Sequence, residues 1–302
     1  MDIAAPQPAE LNPPLLANAP LTTADKVILA AVAVGCYGVW YYIFKTCGLP
    51  NIPQISSLLL HQGLVGVVMT AILMPVLAVA CTAGLGRIRP EAGVFCATLG
   101  LLALPTHGGD IRNTLLDAGS FNVFLTMAIE QILLWVIVGG SLVAAESLGH
   151  RLHAKFTETE EGETLSDRLT VVASQGAAVL ILMAFIGQSP AKGQAMVGLG
   201  VAAMAAAILI HQSYKLAGAF WYVTGTMLAG LVAYLWGKFT QGGPDIGDLS
   251  GWLAGPARSL PLHYASIGVA GTIYGYWISM TWEETKQLPA EIAVVGEATL
   301  SR

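Results

Sequence analysis

FNVFLTMAIEQILLWVIVGGSLVAAE, residues 121–146, holds one charged side chain, Glu130, before its closing Glu146. As an α-helix this run extends roughly 39 Å, enough to cross a hydrocarbon core of about 30 Å with some tilt. A membrane β-strand would be about ten residues long and would alternate apolar with polar positions. The run is longer and does not alternate. Backbone polar groups in hydrocarbon must be satisfied within their own segment or by ring closure, so the stretch is expected to be a membrane helix.

Outward from it lie seven further apolar blocks, giving eight candidate spans: Val27–Phe44, Gly63–Leu85, Ala92–Pro105, Phe121–Glu146, Leu169–Gly187, Ala195–Ile210, Ala217–Trp236 and Leu262–Met280. Over the whole chain of 302 residues, 55% are hydrophobic and 11% charged, with a mean hydropathy of +0.65. Soluble domains carry roughly 25% charged residues. The fold class expected is therefore all-α, a polytopic transmembrane helix bundle. Pro75 stands in the second block, where a kink is expected. The sixth block, rich in Ala and Gly, suits close contact with other helices, as do Gly268, Gly271 and Gly275 in the eighth.

The blocks divide the chain into a polar, Pro-rich tail (1–26), a first membrane half of four helices (27–146), an acidic loop (147–168), a second membrane half (169–281) and a closing tail (282–302). The N-terminal stretch lacks the basic region of a secretory signal, so it is expected to stay on the protein. With eight spans, nine Lys and Arg fall on the side shared by both termini and five on the other. Positive charge is retained in the cytoplasm, which places both termini there and makes the cell membrane the expected location.

The third block is the awkward one. Ala92–Pro105 makes roughly 21 Å of helix, about two-thirds of the core, and the chain then turns polar in THGGDIRNTLLDAG, residues 106–119. Asp110 is placed to cap a short helix there and Gly119 to end it. Two readings follow: an interfacial helix on the external leaflet, or a loop dipping into a water-filled vestibule with Arg112 available to an intramembrane acid.

That acid is Glu130. Charged residues at a helix centre cost roughly 2.5–3.5 kcal/mol on insertion scales, so an acid there faces the bundle interior and has a partner. Arg112, His107, His61 and Gln188 stand at external ends of spans and are the expected candidates. Glu130, Gln131, Arg112 and His107 form the proposed substrate- or proton-binding set; the competing reading makes Glu130 a hydrogen-bonded lock between helices. A second constellation, Glu146, His150 and His153, shares one helix face and could ligate a metal, but lacks a complementary set beyond His211. A solvated helix face is the simpler reading.

No nucleophile elbow, HExxH, Walker motif or Cys–His pair is present, so neither a catalytic set nor a cofactor is expected. Cys36, Cys81 and Cys96 lie inside apolar blocks and Cys47 in a connection, without a CxxC. The net charge of −5 and the acidic run Glu158–Asp167 exclude a nucleic-acid surface. The expected partners are the lipid bilayer and a membrane protein or second copy of the chain. Two functions are open: a non-catalytic membrane component or assembly partner, and a small-solute or proton-linked transporter using Glu130.

Overall fold

Each apolar block forms an α-helix, and no strand occurs among the described residues. The computed structural model describes residues 21–47, 57–108, 111, 123–152, 163–188, 191–240 and 254–282. Its helices are α1 (Thr23–Thr46), α2 (Leu58–Leu85), α3 (Ala92–Leu101), α4 (Ala103–His107), α5 (Val123–Leu152), α6 (Leu165–Ile186), α7 (Lys192–Tyr214), α8 (Phe220–Thr240), α9 (Ala254–Ala257) and α10 (261–282). Five of them, α1, α2 from Gln62, α5, α6 and α7, are long and apolar enough to cross a membrane.

Helix starts follow local chemistry. Thr22 with Asp25 and Thr164 with Asp167 form capping boxes before α1 and α6, each satisfying backbone donors that the helix leaves free. Because α5 runs on to Leu152 and α6 begins at Leu165, the connection between them is shorter at both ends than the expected 147–168. The break in α2 falls at Gly63 (φ 60°, ψ −149°), a backbone position that favours glycine. At Pro75, where a kink was expected, the φ/ψ values stay helical.

Packing places the two least regular helices at the centre. α1 lies on α3 and α4; α2 joins α3 to α5; α5 packs on α8, α8 on α6 and α6 on α7. The first half of α10 touches α3, α5, α7 and α8. At Gly271 and Gly275 the added Cβ of any other residue would strike the carbonyl oxygens of Gly200 and Met204, so α10 and α7 meet backbone to backbone. Large apolar side chains point outward instead: Val34 and Leu64 are each 71% exposed, and Phe185 is 64% exposed. Such surface suits lipid, and is unusual facing water.

The short third block is a broken helix. The chain tightens at Leu102, whose N–H reaches the carbonyl of Leu99 at 3.2 Å, and α4 then carries it to Gly108. His107 ends beside Tyr37 and Tyr41, nine and five residues before the end of α1, or roughly 8–14 Å short of it along the axis. The turn into the polar segment thus sits well below the level that α1 reaches. Beyond Gly108 only Ile111 of that segment is described, so the expected helix after Asp110 lies outside the described residues.

Candidate functional site

Glu130 stands two turns into α5, fully buried, against the start of α2. Ser57 is the N-cap of α2: its hydroxyl oxygen accepts from the N–H of Leu60 at 3.3 Å, and its O–H donates to Oε2 of Glu130. The N–H of Leu59 donates to the same Oε2 at 3.2 Å. A helix start offers free N–H groups, and here one of them, with the Ser57 hydroxyl, is taken up by a single oxygen of the Glu130 side chain.

Gln131, next in sequence, turns the other way. Its Nε2 donates to the carbonyl of Met227 on α8 at 2.9 Å, and Trp135 Nε1 reaches Thr224 Oγ1 on the same helix at 3.4 Å. The polar residues of α5 therefore join it to α2 on one side and α8 on the other.

A second buried polar group begins α10. The O–H of Tyr234 donates to the carbonyl of Ser259, that of Tyr264 to Pro256 at 3.1 Å, and the two rings meet edge-on at 6.1 Å. His263 Nδ1 accepts the N–H of Leu260 at 3.1 Å, which places the ring proton on Nε2. Immediately afterwards Tyr264–Gly268 winds as a π-helix, a local widening that recurs at functional positions. The nearby cations are tied to helix ends: Arg258 donates to the carbonyls of Gly187 and Gln188, and Lys192 to those of Thr106 and Gly108.

Four buried polar atoms in this region have no partner among the described residues: Glu130 Oε1, Gln131 Oε1, Ser259 Oγ and His263 Nε2. They are the kind of group that an ordered water or a small polar ligand satisfies.

The expected set is only partly brought together. Glu130 and Gln131 are adjacent but serve different helices. His107 bonds instead to Tyr37 Oη at 3.3 Å and to the carbonyl of Ala103 at 2.9 Å, with its ring 4.8 Å from that of Tyr41. Arg112 lies outside the described residues, as does His153. His150 is exposed in the last turn of α5, and His211 is held by Ser279 Oγ at 2.8 Å. Among the described residues no group of three His, Cys, Asp or Glu side chains is placed to hold a metal. Sequence reasoning placed His263 and Tyr264 at the entrance of the eighth span but missed Ser57, although a serine directly before LLLHQ is an N-cap signal, and Tyr234, which resembles an ordinary interfacial aromatic.

The class that fold and site define is an all-helical bundle with the apolar helices of a membrane protein and a buried polar seam. No known protein family matches the chain, and neither a curated protein nor a solved structure is significantly similar to it.

Proposed function

We propose that the chain is an eight-span integral membrane protein of the cell membrane with both termini in the cytoplasm, and that it acts as a non-catalytic component that assembles with other membrane proteins. The observation that carries this reading is the use of Glu130. The acid that would have to serve transport is engaged as a cap on α2, with Ser57 and the N–H of Leu59 as its donors. An apolar cavity of about 440 Å3 between α3, α7 and α10 is lined by neither Glu130 nor its donors.

Two observations support the topology. Leu21, Lys26 and Trp282 line one small cavity, so the described chain enters and leaves at the same end, as an even number of crossings requires. Nine of the 14 Lys and Arg belong to that side under the eight-span reading. A second reading, proton-linked transport, is favoured by the unpartnered Oε1 atoms of Glu130 and Gln131.

The test is chemical crosslinking and affinity purification of the full chain from its own membrane, followed by proton-flux measurement in liposomes. A stoichiometric protein partner or homo-oligomer without flux supports the component reading. A lone chain whose flux disappears in Glu130→Gln overturns it in favour of transport.

A further inference from the structure

We infer that the groove between α3, α7 and α10 is a binding site for one anionic phospholipid, whose acyl chain lies in the groove and whose phosphate meets Lys26. The inference rests on the bilayer placement proposed above and not on the assembly role.

Three observations converge. The groove holds about 440 Å3, within the range of roughly 300–1,000 Å3 typical of ligand sites. Its wall is wholly apolar, formed by Phe95 and Leu99 of α3, Met196 and Val201 of α7, and Ile267 and Tyr274 of α10. An unfilled groove of that kind forfeits dispersion contacts along its length, and a flexible hydrocarbon chain recovers them.

Secondly, the groove adjoins another cavity. Tyr274 also lines a second, smaller cavity of about 150 Å3 with Leu21, Lys26, Trp277, Thr281 and Trp282. The smaller cavity lies at the end of the bundle where α1 begins and α10 ends. An apolar slot thus meets, at Tyr274, a partly polar mouth lined by the half-exposed Trp282, and tryptophan favours the headgroup level of a bilayer.

Thirdly, the mouth has an available cation. Lys26 is exposed, and among the described residues its ammonium group meets no carboxylate. The adjacent acid, Asp25, is turned back onto Thr22, accepting its N–H at 3.0 Å and its O–H at 2.7 Å. A neutral isoprenoid would fill the slot and leave Lys26 unused, whereas an anionic headgroup uses both features.

Native mass spectrometry of the delipidated full-length protein, titrated with phosphatidylglycerol or with phosphatidylcholine of identical chains, tests this. One phosphatidylglycerol is expected per chain, retained about fivefold better than phosphatidylcholine, the factor a single Lys contributes near an anionic surface. Lys26→Gln should abolish the preference and leave phosphatidylcholine binding unchanged. Val201→Trp, which fills the slot from its outer wall, should lower retention of both lipids at least tenfold; if it does not elute as a folded protein, Met196→Phe replaces it.

Equal retention of the two lipids by the unaltered protein overturns the inference. So does full retention after the slot is filled, or a tightly held isoprenoid or partner helix that phosphatidylglycerol does not displace. The readout needs no protein partner, so failure of the assembly reading leaves it standing, and its own failure leaves that reading untouched.

Discussion

The hydroxyl of Ser57 donates to the carboxylate of Glu130, tying the first turn of α2 to the interior of α5. The same serine oxygen accepts from Leu60, so one side chain both caps its own helix and clamps another. Ser57→Ala is expected to cost about 1–3 kcal/mol. Glu130→Leu, which strands the donors of both Ser57 and Leu59, should cost more, while Glu130→Gln keeps an acceptor and should fall between them. The double variant Ser57→Ala with Glu130→Leu should lose less than the sum of the two single losses, because the bond between them is removed by either change while the Ser57 cap on Leu60 and the Leu59 bond are counted separately. Thermal unfolding in detergent measures this series, and additive losses would show that the clamp does not exist.

Two thiols report on the packing of the first two helices. Cys36 on α1 and Cys81 on α2 have their sulfurs 3.5 Å apart, and both are free. A disulfide needs about 2.05 Å, so a small shift suffices. Mild oxidation should crosslink residues 36 and 81 within one chain, detected by peptide mass mapping under non-reducing conditions. Cys96, which places its thiol 3.5 Å from the carbonyl of Leu29, should stay reduced. A crosslink through Cys96 instead would mean that α1 and α2 are out of register.

What could be read from the residues divides along physical lines. Apolar runs and polar breaks are local, and from them come the all-helical class and the position of most helices. The glycine spacing at 268, 271 and 275 announced a close contact, but which helix answers it is set by tertiary packing, here α7. Glu130 was conspicuous because a lone acid in an apolar run is costly. Its partner was not, because the donors are a common serine and a backbone N–H, which carry no signature of their own. The break at Gly63 carried no mark in the sequence, because what distinguishes that glycine is a positive φ that only the fold reveals.

Gly271 and Gly275 should be intolerant of any side chain. A Cβ at either would collide with backbone oxygen on α7, which cannot rotate away as a side chain does. Gly271→Ala and Gly275→Ala are expected to destabilise by several kcal/mol, in the range of severe overpacking, or to prevent recovery of folded protein. Gly140 on α5 is the control, since a Cβ there would meet nothing within 4 Å. Gly140→Ala should stabilise by about 0.5–1 kcal/mol through helix propensity. Folded yield by gel filtration and melting temperature decide the matter. Equal tolerance at 140 and 271 would refute the close approach.

Lys192 holds down the end of the interrupted third block from across the bundle. Its Nζ donates to the carbonyl of Thr106 at 2.8 Å and to that of Gly108 at 2.7 Å, the last acceptors of α4. Carbonyls in the last turn of a helix lack intrahelical donors, and a cation at a helix C-terminus also meets the negative end of its dipole. Lys192→Met keeps the apolar stem and removes both bonds. Local opening of α4 should then become easier by roughly 1.5 kcal/mol, the lower end for a bond to a charged group. Hydrogen exchange should accordingly quicken about tenfold at the amides of Thr106 and Gly108, which bond to Leu102 and Leu104, with no change in α2 or α5. Lys45, exposed and 5.5 Å from the ring of Tyr41, supplies the comparison: Lys45→Met should leave the exchange of α4 unaltered. If the two variants behave alike, the end of α4 is held by its own hydrogen bonds, and Lys192 has no part in setting the depth at which the third block stops.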